Sequence, residues 1–209
     1  MDSFTSLLRA KLKEKLPGRG AQFRMAPYRK PLDLNFKFPE QARKSSVLVS
    51  YFFKSGIPCF ILMKRSEYKG VHSGQICFPG GAEEPDDQSP KHTAIRETQE
   101  EIGVRFGIEQ IIGELSPLYI PVSNFIVQPF IAFLNTKPIY TIDQLEVDNI
   151  IEVDIEDIMN SKNEETRTIK HSQGFELETP CFVFNEKVVW GASAMVLSEL
   201  KQIINNFYQ

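Results

Sequence analysis

Cysteine is scarce in this chain of 209 residues: it has Cys59, Cys77 and Cys181 and no others. They are odd in number, far apart and flanked by apolar residues. This excludes a disulfide framework and predicts buried free thiols kept reduced in the cytosol. No Cys-x-x-Cys pair or Cys/His cluster occurs, which argues against a structural zinc site. Long apolar runs are missing as well. None approaches the roughly 18 residues of a membrane-crossing helix, and Lys and Arg interrupt residues 1–15 too often for a secretion signal. A cytoplasmic protein that meets no membrane is expected. An excess of positive charge is also lacking: 24 Lys and Arg stand against 27 Asp and Glu, a net of −3. A protein built to coat nucleic acid would show the opposite balance. With 42% hydrophobic and 24% charged residues, the signature of disorder is absent too. There are no repeats and no low-complexity tracts.

What is there suggests one mixed α/β domain with extensions. Charge is uneven. Residues 1–45 hold 11 basic and 4 acidic side chains, and residues 46–209 hold 13 and 23. A basic front part beside an acidic body fits either a solvated amphipathic helix or a basic approach to a site for a polyanion. Phe4, Leu7, Leu8, Leu12 and Leu16 recur at helical spacing until Pro17-Gly18. Residues 17–45 read as an irregular connection over the surface. Residues 46–53 and 58–65 are β-prone around Lys54-Ser55-Gly56 and predict a hairpin. A helix is expected over Ser89–Ile102, with Ser89 as N-cap, Pro90 first and Gly103 at its end. Strands are expected near 111–120, 125–134, 149–153, 164–170 and 180–184, and a short helix over 155–159. A final helix carries Ala192, Val196, Leu200, Ile203 and Phe207 on one face, with Trp190 anchoring it in the core.

The chemistry concentrates in two adjacent segments. At about 100° per residue, Ala94, Ile95, Thr98 and Ile102 share one face of the 89–102 helix. Glu97, Glu100 and Glu101 share another, being spaced i, i+3 and i+4. Three carboxylates so close repel one another, and a divalent cation would turn that repulsion into attraction. Their oxygens suit hard Mg²⁺ or Mn²⁺. Arg96, one turn before Glu100, is placed to orient it. Just upstream, Phe78-Pro79-Gly80-Gly81 puts tight backbone where a phosphate could approach or a carbonyl could turn toward a metal.

These residues resemble the Nudix box, Gly-x5-Glu-x7-Arg-Glu-U-x-Glu-Glu-x-Gly-U with U apolar. Gly81 opens it, and Arg96, Glu97, Glu100, Glu101, Gly103 and Val104 fall in place. Thr98 stands at an apolar position. Gly81 to Arg96 is one residue longer than the general pattern, and Gln88 stands where the first acid belongs, with Asp87 as a substitute. The coenzyme A pyrophosphatase branch of the Nudix hydrolases has the same longer spacing. It also has an upstream signature, L-L-x-x-R-S-x-x-L-R-x-H-x-G-x-x-x-F-P-G-G. The stretch from Ile61 to Gly81 is similar to it: Arg65, Ser66, His72, Gly74 and Phe78-Pro79-Gly80-Gly81 agree, and Lys69-Gly70 replaces Leu-Arg. The resemblance covers about residues 45–204.

The resemblance implies a Nudix-type mixed β-sheet sandwiched between helices over residues 46–209. Residues 1–45 would form a basic N-terminal helix and an extended connection packed on that domain. It implies hydrolysis of the pyrophosphate bond of coenzyme A, a phosphorus-containing anhydride, to 3′,5′-ADP and 4′-phosphopantetheine with Mg²⁺ or Mn²⁺. By motif match, Glu97, Glu101, Glu100 and the Gly81 carbonyl are the metal-ligand candidates. Glu100 is also the candidate base, with Glu114 and Glu152 as alternatives outside the box, and Arg96 holds the glutamates. Arg65, Lys69, His72 and Gly80 are the substrate-binding candidates, and Arg24, Arg29 and Lys30 are further candidates for the 3′-phosphate of coenzyme A. Cys77 is expected to be packed, and His92 and His171 to lie on the surface. The partner is a small nucleotide, with no nucleic acid and no membrane; a homodimer is left open. The alternatives are a Nudix hydrolase of ADP-ribose or NADH, and a non-catalytic nucleotide sensor of the same fold.

Overall fold

A computed structural model describes residues 3–27, 37–67, 72–170 and 176–208. The elements in chain order begin with helices α1 (Ser3–Lys11) and α2 (Arg19–Gln22) and strands β1 (Arg43–Lys54), β2 (Ile57–Arg65), β3 (Ile76–Cys77) and β4 (Gly80–Ala82). Helix α3 (Pro90–Ile102) follows, then β5 (Ile111–Glu114), β6 (Leu118–Ile120), β7 (Phe125–Leu134) and β8 (Val147–Asp154). The rest are α4 (Ile155–Met159), β9 (Glu164–Lys170), β10 (Glu176–Phe184), β11 (Lys187–Val189) and α5 (Gly191–Asn205).

The main sheet runs β3-β2-β1-β7-β5, with β4 beside β1, β6 beside β7 and β8 beside β2. The β1–β7 pair is parallel from Arg43↔Phe125 to Phe52↔Leu134, and the other pairs are antiparallel, so the sheet is mixed. β9, β10 and β11 form a separate small sheet. Alternation along the strands sorts side chains to two faces. Val49, Tyr51, Phe60 and Leu62 join the core under α1, α4 and α5. Leu48, Phe52, Cys59, Ile61 and Met63 join the core under α3. The expected sheet between helices is the architecture found, and among the described residues no helix is long and apolar enough to cross a membrane.

The basic front part contributes to the same core. Phe4, Leu8, Leu12 and Met25 are buried against α5 residues, whereas Leu7 is 45% exposed. The first helix stops earlier than expected because Lys13 and Glu14 donate to the carbonyls of Ala10 and Lys11, a tightened 3₁₀-like end. α5 is buried nearly all round because these N-terminal elements cover its outer side. Glu199 on α5 is fully buried, and its carboxylate accepts N–H groups from Gly18 (2.9 Å), Gln22 (3.0 Å) and Ser116 (3.2 Å). Donors of this kind are what a buried carboxylate needs.

Three expectations are corrected. The run 111–120 is two strands, β5 and β6, because pairing with β7 is interrupted at 115–117, where the Ser116 N–H turns to Glu199 and Pro117 has no N–H to give. Ser89 stands at the N-cap position and Pro90 opens α3 as expected, but the Ser89 hydroxyl meets His92 Nδ1 at 2.8 Å and caps no backbone N–H. Trp190 is half-buried at the start of α5 and lines a cleft, because the chain turns into the helix at that edge of the core. Gly103 closes α3 as expected: its φ is 73°, and a Cβ there would lie 2.6 Å from the Thr141 carbonyl oxygen.

Candidate active site

Strand β4 brings the Gly80-Gly81 backbone against β1, and α3 packs directly behind it. Both glycines are required by space. Gly80 has φ 148°, and a Cβ there would sit 2.2 Å from the Ser46 carbonyl oxygen. A Cβ on Gly81 would sit 2.4 Å from the Glu97 carboxylate. Glu97 therefore lies flat against the glycine loop.

Arg96 is the hub. Its Nε and NH2 donate to both oxygens of Asp87 at 3.0 Å, and NH2 also donates to the Ala82 carbonyl. Its NH1 bridges Glu97 Oε1 at 3.0 Å and Glu100 Oε2 at 2.9 Å. Asp87 is 5% exposed, and the guanidinium holds its carboxyl well below the usual carboxylate range. The acid that stands in for the missing first glutamate thus fixes the arginine from behind.

Glu101 is 1% exposed. Its Oε1 accepts Arg65 NH2 at 2.9 Å, and its Oε2 accepts the Gly80 N–H at 2.8 Å. Arg65 also donates to the Gly80 carbonyl at 3.1 Å, closing a small ring of contacts. Burial pushes the Glu101 carboxyl up to about 7, against the pull of Arg65 and Gly80. Burial likewise raises Glu97, and the Arg96 charge opposes the shift. Glu100 is 58% exposed and so faces water.

A cleft of about 590 Å³ opens beside this cluster. Arg65, His72, Gln75, Gly80 and Gly81 form its polar side. Leu118, Ile120, Val122, Phe125, Leu177 and Trp190 form much of the remaining wall. His72 Nδ1 lies 3.1 Å from Gln75 Oε1. Glu97, Glu100 and Glu101 do not line the cleft themselves; Glu97 and Glu101 adjoin it through Gly81 and Gly80, which do. Cys77 is packed as expected, half-buried between the cleft and the core under α3, and desolvation pushes its thiol up to about 11.

The sequence-based candidates divide accordingly. Arg65, His72, Gly80 and Gly81 share the cleft, and Arg96, Glu97, Glu100 and Glu101 lie together at its edge. Lys69, Arg29, Lys30 and His171 lie outside the described residues. Arg24 reaches Glu164 at 3.8 Å and does not line the cleft. Neither alternative base is there: Glu114 is exposed on β5, and Glu152 binds Lys137 Nζ at 2.7 Å and the Tyr140 hydroxyl at 3.2 Å. Glu146 escaped sequence reasoning. Its negative charge raises both Glu97 and Glu101, and its carbonyl accepts the Ser66 N–H at 2.9 Å. No spacing rule connects it to a helix 45 residues upstream.

Among the described residues, no three His, Cys, Asp or Glu side chains gather around one point as a metal centre would need. The arginines explain this, since Arg65 draws Glu101 one way and Arg96 draws Glu97 and Glu100 another. The donor chemistry nonetheless fits a hard divalent cation: a single charged nitrogen already bridges the oxygens of Glu97 and Glu100.

Comparisons with known proteins agree with this geometry. The NUDIX domain family model matches residues 42–170. A mitochondrial coenzyme A diphosphatase of Mus musculus is 31% identical over 169 residues, covering 79% of this chain and 80% of the relative. An uncharacterized Nudix hydrolase of Yersinia pestis is 27% identical over 169 residues, covering 80% of this chain and 83% of that one. A MutT/nudix family protein from Enterococcus faecalis superposes with a TM-score of 0.56 at 13% identity, over 89% of this chain and 73% of that chain, a likeness of fold. A carboxylate helix anchored by Arg96, packed on a glycine loop that tolerates no side chain and lying within the matched family segment, places this chain among the Nudix hydrolases.

Proposed function

We propose that this protein hydrolyses the pyrophosphate bond of coenzyme A to 3′,5′-ADP and 4′-phosphopantetheine. The shape of the cleft carries this reading. It joins a polar end at the glycine loop to a long apolar wall. Coenzyme A has the same two parts, a charged diphosphate and an extended, uncharged pantetheine arm. The relative named as a coenzyme A diphosphatase and the similarity of residues 61–81 to the branch signature support it.

Glu97, Glu100, Glu101 and the Gly81 carbonyl would hold Mg²⁺ or Mn²⁺. Such an ion neutralises phosphate charge and makes bound water more acidic. The chain's own residues do the rest. Arg96 keeps Glu97 and Glu100 at a fixed separation, and Asp87 keeps Arg96 in place. Glu100, being exposed, takes the proton of the attacking water. The water oxygen forms the new bond to phosphorus as the anhydride P–O bond breaks, and the electron pair leaves with the departing phosphate. His72 and Gln75 hydrogen-bond the diphosphate, and the apolar wall shelters the pantetheine arm from water.

The test is product analysis by chromatography after incubation with coenzyme A and Mg²⁺ or Mn²⁺. Formation of 3′,5′-ADP that needs both the metal and an intact Glu101 supports the proposal. Turnover of ADP-ribose or NADH but not coenzyme A would retain the hydrolase and discard this substrate.

A further inference from the structure

Coenzyme A differs from simpler nucleoside diphosphates by a phosphate on the ribose 3′ carbon, and its dianion needs a cation. The cations of the cleft are already engaged. Arg65 is bound to Glu101 and to the Gly80 carbonyl, and His72, beside Gln75, is assigned to the diphosphate. Arg96 is taken by Asp87, Glu97 and Glu100. The apolar wall offers no charge. Among the described residues, the cation for the 3′-phosphate is therefore sought at the rim.

Arg43, at the start of β1, stands there. Its guanidinium lies 4.3 Å from the centroid of Phe125, a residue of the cleft wall. The neighbouring Arg43–Lys44 groove meets the cleft at Ala82, which lines both. Arg43 and Lys44 are exposed, and among the described residues neither forms an ion pair. The acids lining that groove are Glu83, Glu84 and Asp87. Asp87 is held by Arg96, and Glu84 lies 3.9 Å from the same arginine. Stacking on an aromatic face fixes the plane of a guanidinium while leaving its N–H edge open, the arrangement suited to a bidentate phosphate contact.

We propose that Arg43, assisted by Lys44, is a specificity-determining residue that binds a ribose 3′-phosphate and so selects substrates carrying one. This rests on the coenzyme A reading, and the experiment separates the two. Wild type, Arg43→Gln and Arg43→Lys are assayed with coenzyme A and with 3′-dephospho-coenzyme A. Wild type should favour coenzyme A in kcat/KM by about ten- to hundredfold, the usual effect of a hydrogen-bonded charge pair. Arg43→Gln should bring the ratio close to one, and Arg43→Lys, which keeps charge but loses the fork, should fall between. Equal use of both substrates by wild type, or an unchanged ratio in Arg43→Gln, overturns the proposal. If wild type hydrolyses neither, the coenzyme A reading fails, and calorimetric titration with 3′,5′-ADP and 5′-AMP decides this one. Tighter binding of 3′,5′-ADP that is lost in Arg43→Gln upholds it, and any other pattern overturns it.

Discussion

The two ends of the cleft are built differently. The polar end comes largely from one continuous stretch, Arg65 to Gly103, and polar contacts between 2.8 and 3.1 Å hold it. The apolar end collects Leu118, Ile120 and Phe125 from one region, and Leu177 and Trp190 from another more than 50 residues later. Its wall is mostly aliphatic and aromatic surface. The difference teaches that the candidate reaction centre is organised by charge placement, whereas the apolar wall is organised by shape. Variants at each end should therefore fail in different ways.

The largest effect is expected from Glu101→Gln. It removes a charge from a buried candidate metal ligand, and turnover should drop by more than the roughly 10- to 100-fold typical of residues that merely orient a ligand. Circular dichroism should stay near wild type, while Tm falls modestly, because the amide has one acceptor oxygen where the carboxylate accepts both Arg65 and the Gly80 N–H. Arg65→Gln should fall within that 10- to 100-fold range. It should lower kcat more than it raises KM, since Arg65 acts through Glu101; a rise in KM alone would make Arg65 a substrate contact. Gly80→Ala tests the backbone itself. The added methyl meets the Ser46 carbonyl at 2.2 Å, and a thermal melt should show destabilisation of about 1–3 kcal/mol, as for other overpacked sites.

At the apolar end, Ile120→Thr should raise KM for coenzyme A a few-fold and leave kcat nearly unchanged, as expected for loss of a methylene-sized contact. If kcat falls as far as in Arg65→Gln, the two ends are not separable. The smallest effect concerns acid stability. The Asp87 carboxyl titrates below its ordinary value of 3.8 because Arg96 stabilises its charged form. That stabilisation is complete above the unfolded value and is lost as pH falls through the lower folded value. Asp87→Asn should therefore lower Tm at pH 7 and flatten the decline of Tm below about pH 4. An unchanged acid limb would show that the pair contributes nothing to stability.

The clustering of the candidate site residues was legible because many of them are close in sequence. The spacing of Arg96, Glu97, Glu100 and Glu101 puts them on neighbouring turns whatever the rest of the fold does. Gly103 likewise signals a helix end through its own backbone freedom. Glu146 was not legible, since it reaches Glu97 and Glu101 through a loop whose course the sheet sets. That Arg65 also binds the buried Glu101 was not legible, because nothing in its neighbours in sequence says that a carboxylate stands opposite. Trp190 read as a core residue, since aromatic size predicts burial but not which side of a cleft buries it. The division of 111–120 into β5 and β6 was hidden because the Ser116 N–H at the break is drawn to Glu199, 83 residues later, which no local pattern reveals.

By itself the sequence determined what depends on short-range geometry: the carboxylate helix, the glycine turn, the alternation of β1 and β2, and with them the family of the chain. Tertiary structure alone decided which arginine meets which glutamate, which residues wall the cleft, and that the N-terminal helix completes the core over α5. The reason is physical. Helical and strand periodicity is fixed by the local backbone, whereas the partner of a buried charge is fixed by which distant segments packing brings within about 3 Å of it.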